Sequence, residues 1–186
     1  MIIMKKLIPI ALGVLLLAFS GYGEGPSAKI GFSAGYMFDS EEAFLGAHWA
    51  TPLTVHESST HYLELEVGYM RQDDAVGFAR ARLWIVPVLL NYKVVTETGE
   101  NTFLYFGAGA GGSTLSLSGS APGVSISDSD WVLTGQLKAG LEYRSSDALS
   151  LLIGARYIYL SRATLFNTTL SNLDDFGIEA GISFSF

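Results

Sequence analysis

The segment Phe176-Gly177-Ile178-Glu179-Ala180-Gly181-Ile182-Ser183-Phe184-Ser185-Phe186 alternates without a break between two faces. Every even position is apolar, every odd position is Gly, Ser or Glu, and a period of two is the signature of a β-strand. The odd face is too small and polar to form the core of a soluble sheet. A soluble barrel turns its apolar face inward. A membrane barrel turns it outward to lipid and fills a narrow interior with Gly, Ser and paired charges.

The same division recurs along the chain. Ile30, Phe32, Ala34, Tyr36 and Phe38 alternate with Lys29, Gly31, Ser33, Gly35 and Met37. Leu63, Leu65, Val67 and Tyr69 alternate with Glu64, Glu66, Gly68 and Met70, and Leu133, Leu137, Ala139, Leu141 and Tyr143 lie opposite Thr134, Gln136, Lys138, Gly140 and Glu142. Strands are expected near 28–38, 43–51, 61–71, 80–93, 102–112, 131–144, 148–160 and 176–186, most of them near the roughly 9–11 residues that a tilted strand needs to cross the hydrocarbon. The expected fold is therefore all-β, an eight-stranded antiparallel up-and-down transmembrane β-barrel. The stretch from Leu83 to Leu90 is apolar on both faces and contains Pro87, which lacks a ladder donor, so a bulge or bend is expected there. A secreted soluble sandwich or lipocalin-like barrel is the competing reading, but a solvated sheet face normally carries Lys, Thr and Gln rather than the row Gly107, Gly109, Gly111.

Ahead of the barrel, Lys5-Lys6 precedes an uncharged apolar run from Leu7 to Phe19 and then the small residues of Ser20-Gly21-Tyr22-Gly23. The run is shorter than the roughly 20 residues of a spanning helix, so residues 1–23 read as a cleavable signal peptide, cut after Ser20 or Gly23, and 24–186 as the barrel domain. An uncleaved anchor helix is the alternative. Loss of Lys5 and Lys6 would take the formal charge from −7 to −9. An acidic chain without a Lys/Arg cluster is no nucleic-acid binder. With no cysteine there is no disulfide, thiol nucleophile or Cys metal site, and no cofactor or metal is expected. At 49% apolar and 16% charged residues, the chain carries more apolar surface than a soluble protein of this acidity needs.

If the chain enters from the periplasmic side, an even strand number leaves both termini periplasmic. The longest connections, 113–130 and 161–175, then face outward as Ser-rich and Asn/Thr-rich mobile loops, and the turn at Ser145-Ser146-Asp147 faces inward. Aromatic residues at strand ends suggest two girdles, with Tyr36, Phe38, Phe44, Tyr69, Trp131, Tyr157, Tyr159 and Phe176 on the outer side. Trp49, Tyr62, Tyr92, Phe103, Tyr143, Phe184 and Phe186 would form the inner one. Asp39, Glu41, Glu42, Asp73, Asp74, Asp128, Asp130, Asp174 and Asp175 make the outer loops acidic, without the spacing of a calcium loop, and are expected to be solvated. His48, His56 and His61 form no metal-ligand pattern.

The interior is expected to hold Glu64, Glu66, Lys138, Glu142, Arg156 and Glu179, with Arg80 or Arg82 added if the fourth strand has that parity. An unpaired charge in a water-poor lumen costs several kcal/mol, so these residues should pair, Arg156 with Glu179 first. Eight strands leave an interior just wide enough for side chains to fill, which favours a plugged lumen over a narrow small-solute channel.

The pair of segments Val86-Pro87-Val88-Leu89-Leu90-Asn91-Tyr92-Lys93 and Leu104-Tyr105-Phe106-Gly107-Ala108-Gly109-Ala110-Gly111 resembles paired strands of small opacity-protein-like outer-membrane β-barrels. Ala139-Gly140-Leu141-Glu142-Tyr143-Arg144, Arg156-Tyr157-Ile158-Tyr159 and Gly181-Ile182-Ser183-Phe184-Ser185-Phe186 continue the likeness. The resemblance implies an outer-membrane location among lipid and lipopolysaccharide, and a structural, adhesin-like or narrow-channel role. The terminal strand, through Phe184 and Phe186, resembles the signal read by barrel-assembly machinery. A monomer is favoured. Lipid A 3-O-deacylases are also eight-stranded barrels, with a His-x-Ser pair on the seventh strand and a Glu on the eighth. Here Tyr159-Leu160-Ser161 and Glu179 stand at those places, followed by Arg162-Ala163-Thr164 instead of Asn-Ala-Gly. A phenol with a pKa near 10 is a poor general base at neutral pH, so no enzyme is expected.

Overall fold

Strand alternation closes on itself. The computed structural model describes residues 27–76, 79–171 and 173–186, and for 74–76 and 79 only the backbone. The expected signal peptide lies outside the described residues. The strands are β1 (Lys29–Met37), β2 (Glu42–Val55), β3 (Ser59–Val76), β4 (Ala79–Gly99), β5 (Thr102–Ala121), β6 (Val124–Ser146) and β7 (Leu149–Leu160). A small hairpin follows, β8 (Ala163–Leu165) and β9 (Thr168–Leu170), and then β10 (Asp175–Ser185). The order β1-β10-β7-β6-β5-β4-β3-β2 is a closed, wholly antiparallel eight-stranded barrel. Closure leaves no free sheet edge to face the hydrocarbon.

The parity read from the sequence holds on β1, β3, β6 and β10. On β10, Asp175, Gly177, Glu179 and Ser183 are buried while Phe176, Ile178, Ile182 and Phe184 are exposed. Exposed Leu, Ile, Val and aromatic side chains cover the outer wall; they meet lipid there rather than water. Two aromatic levels bound this apolar band. One contains the Tyr69–Trp84 and Phe38–Phe176 contacts and the other the Trp49–Phe186 contact, with Tyr92 and Tyr143 exposed near that end. From Trp84 to Tyr92, both included, β4 runs through nine residues, the length a tilted strand needs to span the hydrocarbon.

Four expectations change. First, Phe44, Tyr62 and Phe103 are not girdle residues: the first two are 0% and 3% exposed and point into the lumen, and Phe103 packs against the lumenal cluster of Tyr62 and Tyr105. Second, β4 passes Pro87 without a change of register toward β5, and its pairing with β3 resumes on the same register after a gap opposite Gly68 and Tyr69. The proline ring lies over Gly68, where a Cβ would come within 2.8 Å of Pro87 Cγ, so glycine opposite proline replaces the expected bulge. Third, odd residues of β4 face inward, which puts Arg80 and Arg82 on the outward face, exposed.

Fourth, residues 113–130 are not a mobile loop. They continue β5 and β6 as a ladder that runs to Ala121↔Val124 and closes through Pro122-Gly123, with Gly123 at φ 81°. Proline followed by a residue at positive φ is the geometry of a type II turn. The second long connection contains the β8–β9 hairpin, turned at Phe166 (φ 50°) and Asn167 (φ 60°). Two positive φ values make a type I′ turn, unfavourable for a bulky Phe166. Aspartates pin it: Asp128 Oδ2 accepts the Phe166 amide at 2.6 Å and Asp130 Oδ2 the Thr164 amide at 2.7 Å. These carboxylates, expected to be merely solvated, are structural. Replacing both (Asp128→Ala with Asp130→Ala) should release the hairpin. Limited proteolysis should then cut between residues 161 and 171 at least tenfold faster, with barrel stability unchanged; an unchanged cleavage rate would show that the aspartates do not hold it.

Candidate functional site

Among the described residues, charged side chains concentrate away from water in the barrel interior. β3 points Glu64 and Glu66 inward, β4 Asn91 and Lys93, β6 Gln136, Lys138 and Glu142, β7 Arg156, β10 Glu179 and β1 Lys29, and all are buried. In this layer four carboxylates, Glu64, Glu66, Glu142 and Glu179, face four cations, while the buried Asp175 nearer the hairpin end accepts the amides of Asp39 and Ser40 instead.

Two linked groups result. In the larger, Arg156 donates from Nε (3.1 Å) and Nη2 (2.5 Å) to Glu179 Oε2, from Nη1 to Gln136 Oε1 at 2.9 Å, and from Nη1 to Glu66. Lys138 donates to Glu66 Oε2 at 3.0 Å and to Glu64. Asn91 Nδ2 donates to Glu64 Oε1 at 3.1 Å and Glu66 Oε2 at 3.0 Å, while Gln136 Nε2 donates to Glu66 Oε2 at 2.9 Å and Asn91 Oδ1 at 2.7 Å. The Arg156 guanidinium lies 4.1 Å from the centre of the Phe44 ring, a cation–π contact in a desolvated setting. In the smaller group, Lys29 Nζ meets Glu142 Oε1 at 2.5 Å. Lys93 Nζ stands 3.7 Å from Glu142 Oε2 and 4.0 Å from Glu64 Oε2, joining the two groups.

Apolar clusters flank this charged layer, the one toward the termini touching it through Lys29 over the Tyr62 ring and Lys93 over the Tyr105 ring. Toward the β5–β6 hairpin, Met37, Phe44, Met70, Leu115, Val132, Ile158, Leu160 and Ala163 form one cluster, to which β8 contributes Ala163. Toward the chain termini, Ala50, Tyr62, Val95 and Tyr105 form the other. The void left among Ser33, His48, Glu64, Lys93, Lys138 and Glu179 is only about 10 Å³, space for no more than a single water. Glycine makes this filling possible: a Cβ on Gly109 would lie 1.8 Å from Asn91 Oδ1, and one on Gly154 2.2 Å from Tyr105 Oη.

All of Glu64, Glu66, Lys138, Glu142, Arg156 and Glu179 are therefore lumenal, and Arg156 lies against Glu179. Sequence reasoning assigned no role to Lys29, Lys93, Asn91, Gln136 or to the buried His48. The available signal was Asn91 and Lys93, two positions apart in the otherwise uncharged stretch from Leu83 to Val95. The residues aligned with a deacylase do not meet: Tyr159 is exposed on the outer wall, Glu179 is bound by Arg156 and Tyr105 inside, and Ser161 Oγ accepts the Leu133 amide at 3.1 Å. Phe184 and Phe186 are exposed beside the terminal end, Phe186 stacking edge-on with Trp49 at 5.7 Å.

The sequence profile of the outer membrane protein β-barrel domain matches residues 10–186. No curated protein matches the sequence. Among solved structures, a major outer membrane protein from Thermus thermophilus is similar, with a TM-score of 0.62 and 12% identity, covering 88% of this chain and 100% of that one. The N-terminal β-barrel domain of Pseudomonas aeruginosa OprF (TM-score 0.51, 14% identity, 87% and 98% covered) is similar too. So is the attachment invasion locus protein Ail of Yersinia pestis (TM-score 0.51, 16% identity, 86% and 97% covered). At these identities the likeness is one of fold.

Proposed function

The chain belongs to the outer membrane protein β-barrel family and resides in the outer membrane, and from that premise we propose a non-enzymatic barrel with a sealed lumen and a structural or surface-interaction role. The observation that carries this reading is the charged layer of the lumen: carboxylates and cations joined in one network, flanked by apolar clusters, with a void of only about 10 Å³ inside that layer below the wider mouth of about 220 Å³ at the hairpin end. Such an interior braces the wall and leaves no path for a solute. Short turns at 56–58, 100–101 and 147–148 lie at the end bearing both termini, and the long hairpins at the other. Short turns face the periplasm in this architecture, which supports an outward-facing hairpin end and periplasmic termini. Contacts with other surfaces then fall to the β5–β6 and β8–β9 hairpins, which are rigid projections. The exposed C-terminal aromatics Phe184 and Phe186 support recognition by the assembly machinery during insertion, and the apolar wall supports lipid and lipopolysaccharide as surroundings of a monomer.

Surface attachment tests this role. Cells displaying the intact chain should bind protein- or glycan-coated surfaces several-fold better than cells in which residues 163–170 are replaced by a short Gly/Ser link, at equal surface levels. Equal attachment would remove the hairpin end from the role. The purified protein should also leave lipid A acylation unchanged; turnover abolished by Ser161→Ala would overturn the non-enzymatic reading, because it would require Ser161 to leave its amide partner and act as a nucleophile.

A further inference from the structure

Four of the chain's basic residues are neutralised in the lumen, but three others, Arg71, Arg80 and Arg82, share one outward face. The ladder fixes their arrangement. Arg71 lies opposite Trp84, Arg82 is flanked by Asp73 on β3 and Ser118 on β5, and Arg80 by Ala75 and Ser120. Ser118 and Ser120 are in turn paired with Ser127 and Ser125 of β6. Arg71 and Arg82 lie two residues beyond Tyr69 and Trp84, whose rings meet at 6.0 Å in the upper aromatic level, so the arginines stand at the height of lipid headgroups.

Charge at this spot is unbalanced. Arg71 Nη2 and Arg82 Nε both bind the one carboxylate of Asp73, at 2.6 and 2.7 Å, and these two contacts, that of Arg82 first, hold the Asp73 carboxyl below its usual range. Among the described residues no carboxylate pairs with Arg80. Like charges on adjacent strands repel, so among the described side chains three guanidiniums gathered around the one carboxylate of Asp73 leave positive charge free to meet an anion. A depression of about 530 Å³ opens between these arginines and the hydroxyls of Ser118, Ser120 and Ser125. Guanidinium forks with neighbouring hydroxyl donors suit a phosphate monoester, which takes bidentate charge-assisted hydrogen bonds.

We propose that the outward face of β3–β6 formed by Arg71, Arg80, Arg82 and the serine row is a binding site for the phosphorylated headgroup of a lipid in the leaflet at the hairpin end. The acyl chains of that lipid lie against the apolar wall below Trp84, and its phosphate meets the arginines beyond it. Asp73 holds two of the guanidiniums in place and lowers the affinity for an anion.

Native mass spectrometry of the full chain in detergent, titrated with diphosphoryl lipid A, dephosphorylated lipid A or inorganic phosphate, tests the assignment, with heat-modifiable gel migration as the check on folding. Diphosphoryl lipid A should bind at least about tenfold more tightly than the dephosphorylated form, and inorganic phosphate alone should bind far more weakly than either lipid. The folded triple variant Arg71→Gln/Arg80→Gln/Arg82→Gln should lose that preference, and Arg80→Gln, which breaks no described ion pair, should lose part of it. Asp73→Asn should strengthen binding of the diphosphoryl form. Equal binding of the two lipids, retention of the preference in the triple variant, inorganic phosphate binding as tightly as diphosphoryl lipid A, or weaker binding in Asp73→Asn would each overturn the proposal.

Discussion

Arg156→Met should be the most damaging single change in the barrel, costing about 3–5 kcal/mol in urea unfolding from lipid vesicles. The side chain is 2% exposed and its guanidinium serves Glu179, Glu66 and Gln136 at once. Methionine keeps most of the volume but leaves Glu179 with only the Tyr105 hydroxyl at 3.3 Å. Much of the cost is that of a stranded buried carboxylate rather than of a lost attraction, so neutralising the partner should help. Arg156→Met combined with Glu179→Gln should be more stable than Arg156→Met alone, whereas Glu179→Gln by itself should be destabilising. A single variant within about 0.5 kcal/mol of the natural chain would place Arg156 outside any tightly paired network.

Gly154→Ala should be the second large effect, about 1–3 kcal/mol from overpacking. The added methyl would lie 2.2 Å from Tyr105 Oη, 2.6 Å from the Ala139 carbonyl oxygen and 3.1 Å from Tyr105 Cζ. Tyr105 cannot swing away freely, because it is 1% exposed and packed among Ala50, Tyr62 and Val95. The sign of a second substitution distinguishes this mechanism from a loss of backbone freedom. In the natural chain Tyr105→Phe removes the hydrogen bond to Glu179 and should cost about 1 kcal/mol; in the Gly154→Ala background it removes the worst contact, though not the 2.6 Å approach to the Ala139 carbonyl, and should recover part of the loss. If Tyr105→Phe destabilises both backgrounds equally, the glycine is not there to admit the tyrosine.

These two sites also show where the chain can be read without coordinates. Strands such as β10 and β3 announce inside and outside because their lumenal residues are glycine or charged while their outer residues are greasy, so parity alone places Glu64, Glu66 and Glu179. β4 does not, because its lumenal residues Leu83 and Ile85 pack in the apolar cluster above the charged layer and the buried Leu89 is apolar even opposite Glu66. The same layering explains Phe44 and Tyr62, read as girdle aromatics from their positions near strand ends: a lumen filled by side chains needs apolar collars as well as ion pairs. Asn91 and Lys93 then escaped notice although they fix the parity of β4 and exclude Arg80 and Arg82 from the interior. The extension of β5 and β6 was hidden by composition. Ser116, Ser118 and Ser120 suggest a loop, yet each alternates with Leu115, Leu117 or Gly119 and finds Ser129, Ser127 or Ser125 across the ladder, a period of two outside the membrane where the outward residues meet water or headgroups instead of lipid tails.

Sealing of the lumen follows from packing that no single strand reveals, since Arg156 and Glu66, 90 residues apart in sequence, meet only when the barrel closes. Conductance measures it directly. Single-channel recording of the purified full chain in planar bilayers, with insertion verified by heat-modifiable migration of the recovered protein, should show no stable current steps at moderate voltage. Reproducible open levels from the natural chain would mean that a continuous aqueous path crosses the layer of Glu64, Lys138, Arg156 and Glu179, and would contradict the sealed barrel.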